Sequence, residues 1–175
     1  MSYPAIQTNV LDVLQLMTEF DATNSTEKDF RVLGNSKDQY AVLMRGNSPG
    51  GGQQGILDGK KSYVRLDDWV VDLHLFAKYT TNQLDTRELV DSLSDAIEAH
   101  FAAYPTLNGI DTIRRVEVDA TQEPEPYTDG VEQFWRQLIT IEVDEYSTVY
   151  VNEDSWRQWI RWDGTETWDG TEAWL

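Results

Sequence analysis

Two histidines are the only imidazoles in this 175-residue chain, and they are the first places to look for acid–base or metal chemistry. His74 falls on the polar side of an alternating stretch, and His100 falls beside an apolar helical stripe. They belong to no His-Glu-x-x-His spacing or comparable ligand set, so they read as one surface and one core histidine. No cysteine is present, which removes disulfides, thiolate metal sites and cysteine nucleophiles and fits a reducing compartment. Neither a Gly-x-Ser-x-Gly elbow nor a Gly-x-Gly-x-x-Gly turn occurs. Carboxylates abound, as at Asp67-Asp68 and at Glu142, Asp144 and Glu145, so a close pair of them carries no catalytic information. Glu142 and Asp144 share a strand face, but the glycine-containing acidic loop of a calcium site is missing. Gly59-Lys60 approaches a phosphate loop, yet Gln54 stands where that pattern needs glycine and Lys61 where it needs a hydroxyl. The expectation is a protein that is not an enzyme and uses no cofactor or metal.

The elements that would position any site centre on residues 62–104. Trp69, Val71, Leu73, Leu75, Ala77 and Tyr79 alternate with Asp72, His74 and Lys78, the period of a half-buried strand. After a turn at Thr81-Asn82-Gln83, Asp85 is the expected helix cap, with Glu88 at the capping-box position and Leu84 and Leu89 as a hydrophobic staple. Leu89, Val90, Leu93, Ala96, Ile97, Phe101 and Tyr104 then form one apolar stripe, and Pro105 ends the helix. A strand and a helix with one apolar face each must cover one another.

Around this unit, Pro4, Ile6, Val10, Val13, Leu14, Met17 and Phe20 predict a helix over residues 4–20. Phe30, Val32 and Leu33 suit a short strand, and Tyr40 to Arg45 a longer one. Residues 46–61, rich in glycine and including Gly50, Gly51, Gly52, Gln53 and Gln54, read as a long mobile loop, either one that orders on a partner or an idle flexible hairpin. Leu107-Asn108-Gly109 turns the chain into a strand ending at Asp119, with Val116 and Val118 inward. Residues 120–130 form a second polar loop carrying Glu123, Glu125 and Asp129, which Pro124 and Pro126 keep out of the sheet. Residues 134–144 carry apolar groups on both faces, as a central strand does. The expected class is α+β: a mostly antiparallel sheet of four to five strands with two main helices packed on it.

One domain is expected over residues 1–146, large enough to bury ~70% of its unfolded surface without staples. Residues 147–175 differ in character, since five of the seven tryptophans lie there, at Trp156, Trp159, Trp162, Trp168 and Trp174. A tandem repeat, Trp162-Asp163-Gly164-Thr165-Glu166 and Trp168-Asp169-Gly170-Thr171-Glu172, marks this Trp-rich C-terminal extension. Such density suits contact with a neighbouring subunit or partner, or folding back on the domain itself. No basic leader and no ~20-residue apolar run is seen, so a soluble, unprocessed protein without membrane contact is expected. Thirty-one acidic against 14 basic residues leave a net charge of −17. That field repels nucleic-acid backbones, which argues against ordinary DNA binding; it suits plain solubility, a wall that DNA passes, or a mimic of DNA.

The strand Trp69-Val70-Val71-Asp72-Leu73-His74-Leu75-Phe76, the helix from Leu89 to Phe101, Tyr104-Pro105-Thr106-Leu107-Asn108-Gly109, the strand to Asp119, the acidic Pro-containing loop and the run from Trp135 to Glu145 together resemble the tail terminator proteins of long-tailed bacteriophages. With the first helix and Tyr40-Ala41-Val42-Leu43, the resemblance covers about 145 of the 175 residues. It is one of order and texture rather than an invariant motif, and the Trp-rich tail departs from it. It implies a structural virion protein of the tail and neck, assembled in the host cytoplasm. Six copies would form a ring on the finished tail tube, stop its growth, meet a neck or head-completion protein and pass DNA through the lumen without specific binding. Each subunit would touch the next head to tail. Rival readings are another head–tail connector or a tail-tube subunit, an acidic inhibitor that imitates DNA, and a hydrolase whose carboxylates follow no recognisable pattern.

Overall fold

Two long strands make the spine of the computed structural model, which describes residues 2–21, 25–26, 38–46, 52–57, 62–79, 82–129 and 132–150. β4 (Ser62–Lys78) and β7 (Glu132–Tyr150) pair antiparallel from Ser62 opposite Tyr150 to Lys78 opposite Phe134. At the usual rise the paired length is about 55 Å. Each edge of this spine carries two further strands. On the β4 edge, β2 (Gln39–Arg45) pairs with residues 71–77 and β3 (Gly52–Leu57) with residues 62–66. On the β7 edge, β5 (Ile113–Asp119) pairs with residues 140–145 and β6 (Glu125–Asp129) with residues 132–136. β1 (Ser25–Thr26) runs parallel to β2, so the sheet is mixed, with seven strands among the described residues against the four to five expected.

Both helices lie on one face. α1 (Tyr3–Leu14) and α2 (Gln83–Ala102) send Ile6, Val10, Val13, Leu14, Val90, Leu93, Ile97 and Phe101 into a core with Ala41, Leu43, Val71, Leu73, Leu75, Ala77, Ile139, Ile141 and Val143. These strand residues are the odd-numbered set of β2, β4 and β7, as alternation requires. The opposite face holds a second, smaller core at one end: Tyr40 stacks on Phe76 with centroids 4.7 Å apart and meets the edge of Phe134 at 5.8 Å, with Val42 and Tyr127 alongside.

Several sequence expectations change here. The first helix stops at Leu14, and residues 18–20 form a separate 3-10 turn. Ser25 holds the break: its Oγ accepts from Gln15 Nε2 at 3.0 Å and lies 2.8 Å from the Phe20 carbonyl. Phe20, the last residue of that turn, is fully buried in the core. Asn82, not Asp85, caps α2, its side chain accepting from the Leu84 amide at 3.1 Å. The helix therefore starts earlier than expected, and Leu84 and Leu89, 61% and 39% exposed, form no staple. Ala96 is likewise exposed, while Thr86 joins the buried stripe. The glycine-rich stretch is not wholly a loop, since Gly52–Leu57 is β3. Pro126 does not keep its segment out of the sheet, because β6 pairs with β7 alone and an edge strand tolerates a missing N–H. β7 continues past residue 146 to Tyr150. The suggested strand at Phe30, Val32 and Leu33 lies outside the described residues. The Leu107-Asn108-Gly109 turn is present, all three residues having positive φ (46°, 66° and 89°).

Candidate interaction surfaces

Alternation places the even-numbered residues of β4 and β7 on the face away from the helices. Beyond the aromatic cluster this face carries Val70, Asp72 and His74 from β4 and Leu138, Thr140, Glu142 and Asp144 from β7, all at least partly exposed. A register shift between Ile113 and Arg115 sets Arg115, Glu117 and Asp119 opposite Asp144, Glu142 and Thr140, on the same face. Asp68, Asp72, Glu117, Asp119, Glu142 and Asp144 thus stand together around Arg115, with Arg114 over the Tyr146 ring at one end of the face and Arg136 over Tyr127 at the other. Arg115 is shared, with Nε donating to Asp144 at 2.9 Å and a terminal nitrogen to Glu117 at 2.7 Å. The hydrogen bond to Asp144 raises Arg115 above its ordinary range. Hydrogen bonds from Thr121, including its amide at 3.0 Å, hold Asp119 below the usual carboxylate range. His74 is lowered by burial and by Arg136, with Asp72 opposing. Among the described residues no group of three or more His, Asp or Glu is placed to hold a metal ion. The face is arranged to repel polyanions and attract cations.

At the edge of the helix-covered core, Asp67 and Glu145 are cross-strand partners and both are buried, 6% and 1% exposed. Each is satisfied by a named donor: Arg65 pairs with Asp67 at 2.7 Å, and Trp69 Nε1 donates to Glu145 Oε2 at 3.0 Å. Held in this way they act as structural carboxylates, joining the core to the outer stretch of the spine.

The interaction residues expected from sequence do not form one site. Gly52, Gln53 and Gln54 lie in β3, where the register shift between Gln53 and Gly55 leaves Gln54 as the extra residue of a bulge. Glu123 is exposed and pairs with Arg87 at 3.4 Å, Glu125 pairs with Arg136, and Asp129 ends β6 opposite Glu132. β3 and β6 occupy opposite edges and opposite ends of the spine, roughly 30 Å apart along the strands. Gly50, Gly51, Trp156, Trp159, Trp162, Trp168 and Trp174 lie outside the described residues.

Two residues that sequence reasoning passed over line a cleft of about 260 Å³ between α2 and the 120–124 segment: Ser94 and Gln137. Gln137 breaks the inward series Trp135, Ile139, Ile141, Val143 with an amide, and Ser94 sits beside Leu93 on the apolar stripe. A polar residue at a core position was the available signal. A second groove, of about 370 Å³, follows the β5 edge beside Glu98, Glu117, Asp119 and Glu142. No protein-family model matches the chain, and no curated protein matches it in sequence.

Proposed function

We propose that this chain is a structural subunit of a bacteriophage tail, a terminator that closes the head-proximal end of the tail tube as a six-membered ring. The observation that carries the reading is the open sheet face, on which six carboxylates gather around Arg115, with Arg114 and Arg136 at its two ends. Turned toward a ring's lumen, that face lets DNA pass without adhering, because phosphates meet a wall of their own sign and lose nothing by leaving it. Among the described residues β3 and β6 each pair on one side only, and such edges suit head-to-tail contact, since an edge strand presents backbone groups to whatever lies beside it. The Trp-rich extension, with Trp168 and Trp174, would seal such a contact or reach the neck protein, and the tail tube would dock on the other side.

Negative-stain electron microscopy of the purified protein across a concentration series tests this. Single sixfold rings that cap tail tubes and halt their growth are expected. Filaments would assign a tube subunit instead. Monomers that fail to cap added tubes, yet bind a DNA-handling enzyme in a salt-sensitive way, would replace the reading with an acidic mimic of DNA. Replacing Trp168 and Trp174 by alanine should weaken ring assembly.

A further inference from the structure

β5 is a sheet edge whose apolar side the fold covers only in part. Among the described residues it pairs with β7 alone, so its outer side is open to a further strand. Val116 and Val118, opposite Val143 and Ile141, turn toward the helices and are half-buried against the core. Beside them runs the groove of about 370 Å³ that Glu98 and Ala102 of α2 complete. On the other face of the same strand Glu117 and Asp119 are exposed, with Glu142 exposed on the adjacent strand.

A strand that completes this edge must alternate, apolar toward α2 and cationic toward the carboxylates. Residues 151–175 contain two basic residues, and the stretch Trp156-Arg157-Gln158-Trp159-Ile160-Arg161-Trp162 holds both of them and no carboxylate. In an extended chain Trp156, Gln158, Ile160 and Trp162 share one side, and Arg157, Trp159 and Arg161 share the other. Residues 163–175 offer no alternative, since they carry four carboxylates and no base.

Reach agrees with charge. β7 is described to Tyr150, and Val116 stands opposite Val143. If Ile160 and Trp162 lie level with Val116 and Val118, then Arg161 lies beside Glu117, and Trp156 comes level with Ser147 of β7. The way back from Tyr150 to that level is three residues along and two strands across, roughly 14 Å. An extended link through residues 151–155 spans roughly 20 Å, which leaves slack for the reversal.

We infer that residues 156–162 dock on the outer edge of β5 in the same chain, parallel to it, with Ile160 and Trp162 over Val116 and Val118 and Arg161 paired with Glu117. The second Trp-Asp-Gly-Thr-Glu copy lies beyond this contact, and the inference does not depend on the ring proposal.

The test is amide hydrogen exchange of the full chain, read by NMR at each residue of 113–119. The β5 amides that point away from β7 are expected to exchange roughly tenfold more slowly in the native chain than in Ile160→Asp. Arg161→Glu and Glu117→Arg should each speed them about fivefold, and the two together should restore most of the protection, because the swap rebuilds the pair. Trp168→Ala should leave this exchange unchanged. Slow exchange of the α2 amides at buried Val90 and Ile97 verifies that each variant is folded. Outward β5 amides that are unprotected in the native chain, or a double variant no better than either single one, would overturn the docking. Protection that falls on dilution would overturn it as well, because the strand would then come from a second copy.

Discussion

Replacing Trp69 by phenylalanine removes one donor from a carboxylate that has almost no access to water. Trp69 Nε1 lies 3.0 Å from Glu145 Oε2, and Glu145 is 1% exposed. A hydrogen bond to a charged group contributes about 1.5–3 kcal/mol, and here the acceptor is buried away from water that could replace the lost donor. The substitution also trims an indole that packs at the core's edge, 6.2 Å from the Tyr3 ring, so the single change mixes two costs. A double-mutant cycle with Glu145→Leu separates them, because packing loss is shared by both backgrounds and the hydrogen bond is not. Glu145's other contacts cancel in the same way. A coupling energy of about 2 kcal/mol is expected at neutral pH, and Trp69→Phe alone should lower Tm by roughly 4–8 °C for a chain of this size. Urea unfolding followed by far-UV circular dichroism on the four proteins, at one protein concentration, measures it. A coupling below about 0.5 kcal/mol would refute the claim that this bond holds the outer spine to the core.

Three further outcomes follow from the same geometry. Asn82→Ala should cost about 1 kcal/mol in urea unfolding and Asp85→Ala less, since only Asn82 accepts a capping amide; equal losses would return the cap to Asp85. His74 is held below its ordinary 6.5 by burial first and by Arg136 second, so the unfolded chain takes the proton earlier as pH falls. Its contribution to stability is complete above 6.5 and is lost as pH falls toward the lower folded value, and His74→Gln should flatten that slope in unfolding midpoints measured below neutrality. Gly46→Ala would set a methyl 2.5 Å from Val70 Cγ1 and 2.9 Å from the Val70 carbonyl. It should destabilise by about 1–3 kcal/mol, as calorimetry can check, and a neutral result would mean that this end of β2 moves freely.

Legibility differed sharply between elements. The odd-numbered core series of β4 and β7 could be read at once, because a strand half buried on one side must alternate and both strands do so over many residues. The buried face of α2 was visible for the same reason at helical spacing, but its start was not. Asn82 and Asp85 are both good caps, and only the position of the first helical turn chooses between them. Residues 46–61 and 120–130 were read as loops because glycine and proline weaken a strand. β3 and β6 exist because β4 and β7 run past the core and offer them an edge, which no local pattern announces. The same holds for the break after Leu14, which Ser25 spans by bonding Gln15 and the Phe20 carbonyl from β1.

The candidate surfaces divide in the same way. The sign of the protein's field follows from composition, since 31 carboxylates against 14 cations remain acidic in any fold, and the α+β pairing of helix with alternating strand follows from residue periodicity. Where that charge gathers depends on the packing of the strands. The bulge at the start of β5 turns Arg115, Glu117 and Asp119 onto the face of Asp72 and Glu142, and a one-residue slip would have sent them to the other side. That packing alone also left Gln137 Oε1 buried without a donor among the described residues, because hydrogen-bond satisfaction belongs to the groups that a fold brings within 3 Å and not to the order in which they occur along the chain.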